Sequence, residues 1–269
     1  LHVKRHSFPT RRSSDLDLTY ARLNGTDYLP ELYYGRFSVA SSTELQQVVS
    51  KTIIYEKTEM PDLSYLGKAV LIAGADTGHG PVEGNGQVNY GTTHYFNATN
   101  GVTTNAYLFP ASETSDAAII ANANAGRGFM NYTAHGWEGG WGDPSFTTTD
   151  VAAMTNLNEY GVMVGNACLT GKFDYGVCFG EALIRRASRG AAGYIGASNS
   201  SYWGEDYWWA VGYKTPQAAA HPYDAAKLGA YDAMFHTHSE TQDDWATNLG
   251  QTVYMGNSAV QQSSSGLKD

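Results

Sequence analysis

Cysteine is scarce in this chain, with two in 269 residues, too few for a disulfide scaffold. Long apolar runs are missing too. Although 42% of the residues are hydrophobic, no stretch nears the roughly 18 apolar residues of a membrane-spanning helix, so no span is predicted. Charge is thin and one-sided: 17 basic residues stand against 26 acidic ones, net −9. That balance repels phosphate backbones and argues against nucleic-acid partners, while it would steer basic substrates inward. Metal-ligand spacing is also lacking. His236 and His238 are two apart with no partner pair at zinc-site spacing, and no EF-hand pattern occurs, so no metal ligand is assigned. What abounds is glycine (30) and tyrosine (19), the composition of a rigid, loop-rich protein of extracellular type.

The chain is long enough for one large domain, or for one domain plus part of another. Residues 1–16 read as a non-native segment. Lys4, Arg5, Arg11 and Arg12 face one acid, Asp15, and without residues 1–15 the balance is 13 basic to 25 acidic, net −12. No apolar core of a secretion signal is present there, and Arg12-Ser13-Ser14-Asp15-Leu16 can be encoded by a sequencing-adapter end. Residues 17–59 are expected to be the end of a truncated N-terminal subdomain and its junction. Residues 60–258 would be the catalytic subdomain, and 259–269 a truncated polar tail.

The chemistry centres on two strand ends. Phe129–Ala134 runs into His135-Gly136, and Tyr160–Gly165 runs into Asn166-Ala167-Cys168. Between them, Thr147–Asn156 reads as a helix, with Thr148, Thr149 or Asp150 as its N-cap. A strand–helix–strand crossover makes the two strands parallel neighbours, and their C-terminal ends share the edge where open α/β sheets carry their sites. An imidazole and a thiol on adjacent strand ends are the minimum for cysteine nucleophile chemistry. A structural histidine and a small buried thiol are the plainer alternative. A third strand, Ala69–Ala73, ends near Asp76 in a glycine-rich loop. Asp76 is either a turn residue or the group that orients the imidazole, and His79, three residues on, reads as solvated loop. Cys178, between Val177 and Phe179, reads as a buried structural thiol.

These segments resemble the gingipain family of cysteine endopeptidases, which has a caspase-like fold. The resemblance rests on Tyr132-Thr133-Ala134-His135-Gly136, on Gly165-Asn166-Ala167-Cys168, and on ordered matches around Phe173-Asp174-Tyr175, Cys178-Phe179-Gly180-Glu181, Tyr194–Ser198, Ser201–Trp208 and Gly229–Ala233. It implies an α/β three-layer sandwich with a mainly parallel sheet and helices on both faces. It makes Cys168 the nucleophile, His135 its base and acid, and Asp76 the partner of the histidine. Backbone N–H groups of Gly136 and Cys168 would form the oxyanion hole. In the lysine-cleaving members the positions matching Asp206 and Thr133 hold the substrate ammonium, and Tyr202 and Trp203 would supply apolar walls. The arginine-cleaving members place their acid elsewhere, around Gly86–Asn89, where this chain has none although Glu83 lies nearby.

The implied activity is hydrolysis of peptide bonds after basic residues, lysine before arginine, through a thioester. Protein or peptide substrates are the expected partners, with a secreted or cell-surface location and no cofactor for the chemistry. Structural calcium is allowed, and flanking domains would lie outside this stretch. A sortase-like transpeptidase of bacterial outer-membrane secretion and an inert binding module are the competing readings. The family often carries a second cysteine where Ala167 stands, and its spacing between Asp174 and Cys178 is one residue longer. Tyr223–Phe235 and Gln242–Tyr254 are expected to be closing helices.

Overall fold

The structure is a computed structural model describing residues 20–24, 30–242 and 245–263. The non-native reading of residues 1–16 and most of the polar tail lie outside the described residues.

A five-stranded, wholly parallel sheet forms the middle layer, in the order β2–β1–β3–β7–β8. Its strands are β1 (Lys68–Ala73), β2 (Thr103–Tyr107), β3 (Arg127–Thr133), β7 (Tyr160–Asn166) and β8 (Gly193–Gly196). A short antiparallel sheet of β4 (Gly136–Trp137), β5 (Gly140–Trp141) and β6 (Phe146–Thr147) follows β3. The apolar run Ala69–Ala73 is buried throughout because both faces of its sheet are covered. Ala69, Leu71 and Ala73 pack with Val88, Tyr207, Val211 and Tyr231 on one face, while Val70 and Ile72 pack with Ile119, Val151 and Leu183 on the other. Successive side chains of a strand point to opposite faces. One face is therefore covered by α2 (Asn85–His94), α6 (Trp203–Val211), α7 (Ala230–Ala233) and α8 (Leu249–Gln261). The other is covered by α3 (Asp116–Asn124), α4 (Thr148–Ala153) and α5 (Phe179–Arg185). This is the expected three-layer α/β sandwich.

Chain order explains the position of the site. From β1 the chain steps outward to β2, then returns past β1 to β3 and continues to β7 and β8. The direction of winding thus reverses between β1 and β3, and the loops leaving those strands diverge to open a crevice.

Three helices differ from expectation. The crossover helix is shorter, Thr148–Ala153, and its N-cap is Thr147. Asp150 lies in its first turn and accepts from the N–H (2.8 Å) and hydroxyl (2.7 Å) of Thr147. Tyr223–Phe235 is helical only over Ala230–Ala233. Gly229 interrupts it: a β-carbon there would lie 2.4 Å from the N of Gly212 and 2.5 Å from the carbonyl of Ala210. The backbone is extended at that residue, and Asp232 accepts its N–H at 2.7 Å. The last helix begins at Leu249 rather than Gln242 and runs to Gln261, because Asn248 caps it by accepting the N–H of Gln251 at 3.0 Å. Before the sheet, α1 (Ser42–Glu56) is anchored by the buried Lys51, whose ammonium donates to the carbonyls of Leu183, Arg189 and Ala191.

Candidate active site

Asp76, His135 and Cys168 each follow the C-terminal end of a central strand. Thr133 and Asn166 are register partners in β3 and β7, so His135 and Cys168 each stand two residues beyond a shared rung. Ala73 is the partner of Thr133 on the other side, and Asp76 lies three residues beyond it. His135 Nε2 and Asp76 Oδ2 are 2.8 Å apart. The other carboxylate oxygen accepts the N–H groups of Gly78 and His79, each at 2.8 Å. Partial desolvation pushes the Asp76 carboxyl upward, but these backbone donors and His135 together outweigh it, leaving the group below its usual range. An ionised Asp76 holds the ring through Nε2, which leaves Nδ1 as the edge for other partners.

Tyr132 holds the same turn from beneath. Its buried hydroxyl donates to the carbonyl of His135 at 2.8 Å, and its ring stacks on Trp141 at 4.9 Å. Gly74 and Ala75 donate to the carbonyls of Thr133 and Asp143, which ties the loop carrying Asp76 to the turn carrying His135.

Cys168 is half-buried and reduced. Its sulfur is bracketed by the main chain of Ser201, which donates to it at 3.3 Å and accepts from it at 3.5 Å. The residue after it, Leu169, has φ of +64°, a left-handed conformation costly for a branched side chain. The turn is held there by N–H bonds from Leu169 to Asn199 and from Gly171 to Ala197. Among the described residues the N–H of Cys168 has no protein acceptor. Gly136 lies opposite Trp141, between the rung that joins Gly142 N–H to the His135 carbonyl and the Trp137–Gly140 rung. In that position its own N–H points away from β5. Two donors on adjacent turns are thus left without strand partners. Glycine at 136 is required by the protein itself, since a β-carbon would lie 2.8 Å from that of Ala167 and 3.1 Å from the carbonyl of Cys168.

Asp206 lies in the first turn of α6, where Ser201 Oγ donates to its carboxylate at 2.8 Å. Desolvation pushes its carboxyl up to about 7; the Ser201 hydroxyl acts against the shift and Glu205 adds to it. The Asn166 amide reaches the Asp206 carbonyl at 3.5 Å, and Thr133, buried, is the register partner of Asn166. Trp203 stands edge-on to His135 (5.7 Å, 90°), and Tyr202 is exposed. His79 sits in an exposed turn, as expected of a solvated loop. Its ring stacks on Trp203 at 5.4 Å and reaches Glu83 at 3.3 Å. Trp209 is buried and Trp208 donates to the Lys214 carbonyl, so both pack or brace α6. Cys178 is buried, with its thiol pushed up to about 11 chiefly by desolvation. Sequence reasoning missed the brackets from Ser201, the backbone at Leu169 and the clasp of Tyr132. The first two are main-chain features that residue types do not announce, although Ser201 and Tyr132 both lie in segments that carry the resemblance.

The profile of peptidase family C25 matches residues 5–267. The chain belongs to that family. Its C25 relatives include Lys-gingipain HG66 of Porphyromonas gingivalis, 43% identical over 240 residues, which is 88% of this chain and 14% of the relative. Gingipain R2 of the same species is 33% identical over 181 residues, 65% of this chain and 24% of the relative. The chain therefore spans about a seventh of the Lys-gingipain length. Among solved structures, one titled "Structure of Protease" superposes with a TM-score of 0.83 at 39% identity, covering 91% of this chain and 52% of the other. The Arg-specific cysteine proteinase gingipain R shares the fold, with a TM-score of 0.72 at 24% identity over 94% of this chain and 55% of that one. Cysteine peptidase chemistry needs no cofactor. Among the described residues no three His, Cys, Asp or Glu side chains gather as a metal site. No helix among them is long and apolar enough to cross a membrane.

Proposed function

We propose that this C25 chain is the catalytic part of a cysteine endopeptidase that cuts after basic residues, lysine in preference to arginine, and acts outside the bacterial cell. The observation that carries the chemistry is the 2.8 Å pairing of His135 with Asp76 at the β1–β3 reversal, with Cys168 at the matching position past β7.

In this reading the Cys168 sulfur attacks the scissile carbonyl. His135, held by Asp76, takes the thiol proton and returns it to the leaving amine. The N–H groups of Gly136 and Cys168 receive the oxyanion, and water then hydrolyses the thioester through the same imidazole. The Asp206 carboxylate, with Ser201, Thr133 and the Tyr202–Trp203 wall around it, meets the lysine ammonium. Its confinement suits a point charge on a slim stem better than a broad guanidinium fork. The greater identity to a protein named Lys-gingipain than to one named Gingipain R2 supports the same preference.

The test is hydrolysis of matched fluorogenic peptides ending in lysine, arginine or leucine, by the full-length protein and its Cys168→Ala variant. Lysine cleavage that vanishes in the variant is expected. Cleavage that survives in Cys168→Ala would sink the nucleophile, and arginine preference would sink the role of Asp206. Joining of the released acyl group to an added amine in place of hydrolysis would point to the transpeptidase.

A further inference from the structure

The turns carrying the two unpartnered N–H groups are fastened to each other outside the reacting atoms. Gly136 opens a two-residue hairpin whose tip is Glu138-Gly139. A hairpin of two rungs is marginal by itself, so the direction of the Gly136 N–H depends on what grips the tip. The grip is Glu138. Its carbonyl accepts the N–H of Phe179 at 2.8 Å, and its carboxylate meets Lys172 Nζ at 3.2 Å. Lys172 belongs to the turn of the nucleophile, where its N–H bonds the carbonyl of Leu169, the residue held at φ +64°. The ammonium also lies 6.0 Å from the centre of the Tyr175 ring. Hydrogen bonds from its own N–H and from Lys172 hold the Glu138 carboxyl below its usual range.

We propose that Glu138 and Lys172 form a positioning pair that sets the separation of the Gly136 and Cys168 oxyanion donors. The pair touches neither substrate nor the reacting atoms. Its effect comes from locking the tip of one turn to the flank of the other. The proposal rests on the peptidase reading above. A partly exposed ion pair adds little to global stability, whereas a small displacement of a preorganised donor is costly in rate.

The test uses Glu138→Gln, Lys172→Met and the double variant of the full-length protein. Three readouts separate the oxyanion hole from everything else: kcat and KM on a lysine peptide, inhibition by a lysine-ended peptide aldehyde, and alkylation of Cys168 by iodoacetamide. The aldehyde forms a carbon–sulfur bond with Cys168, and its former carbonyl oxygen takes the place of the oxyanion; alkylation displaces iodide and makes no oxyanion. Each single variant should lose about 3- to 30-fold in kcat, between the worth of a screened pair and that of a whole donor, and bind the aldehyde more weakly by a similar factor. KM and the alkylation rate should stay within about twofold, and the double variant should be no worse than the poorer single one. Unchanged kcat, multiplying losses in the double variant, a change confined to KM, or alkylation that slows with kcat would each overturn the pair. A wild-type protein that neither cleaves the peptide nor is alkylated at Cys168 would instead overturn the peptidase reading itself.

Discussion

Asp206 carries the sharpest consequence at the scale of single residues. Its carboxyl, pushed up to about 7 by desolvation, is largely neutral at pH 5 and ionised at pH 9. A lysine ammonium needs the ionised form, so kcat/KM for lysine peptides should rise with pH through about 7. Asp206→Asn should lower that value by about a hundredfold or more at pH 9 and remove this limb of the profile. Linkage gives the opposite sign for folding. A raised carboxyl pKa favours the folded state at low pH, and that contribution is lost as pH climbs from the ordinary 3.8 through about 7. Melting curves at pH 8 should therefore show Asp206→Asn at least about 2 °C more stable than the native chain. On the proposed reading Asp76 acts differently, orienting the imidazole rather than charging a pocket. Asp76→Asn should cut kcat by about a hundredfold or more with little change in KM, read from steady-state kinetics on one lysine peptide.

At the scale of elements, the three strand ends were legible because each apolar run stops at a small residue and a reactive side chain. Parallel pairing of β3 and β7 followed from the crossover between them, and register put His135 and Cys168 each two residues past one rung. Tyr223–Phe235 was misread for an equally local reason: the run has helical residue types, but the obstacle at Gly229 is Gly212 and Ala210, which are distant in sequence. Tertiary contact overrode propensity there. The stacking of exposed His79 on Trp203, 124 residues further along the chain, was hidden from local reading for the same reason. Gly136 and Gly229 should respond differently to a methyl group. Gly136→Ala should cost about 1–3 kcal/mol through overpacking against Ala167 and Thr170 and abolish most turnover. Gly229→Ala should cost a similar amount while sparing KM. Denaturant unfolding and kinetics on the same samples distinguish the two.

At the scale of the whole molecule, Lys51 shows how the segment before the sheet is joined to it. Its buried ammonium gathers three carbonyls near the end of α5, and desolvation lowers its pKa to about 7. A lowered lysine pKa gives stability that is present above 10.5 and is lost as pH falls towards 7. Chemical denaturation of the native chain should thus show stability rising between pH 7 and 10, and Lys51→Met should flatten that slope while losing about 2–4 kcal/mol at pH 10 from the orphaned carbonyls. The sequence betrayed nothing of this, since a lysine within a helix reads as a solvated face until its neighbours are known.

The separation of the site residues along the chain has a meaning for the cell that makes the protein. Asp76 and His135 are 59 residues apart, and Cys168 follows 33 later. They meet only through pairing of β1, β3 and β7, which are long-range contacts and intrinsically slow to form. A nascent chain emerging from the ribosome therefore carries every reactive group before it carries any working arrangement of them. On the peptidase reading the sheet acts as a timing device, keeping hydrolysis silent throughout synthesis and releasing it only in a finished fold.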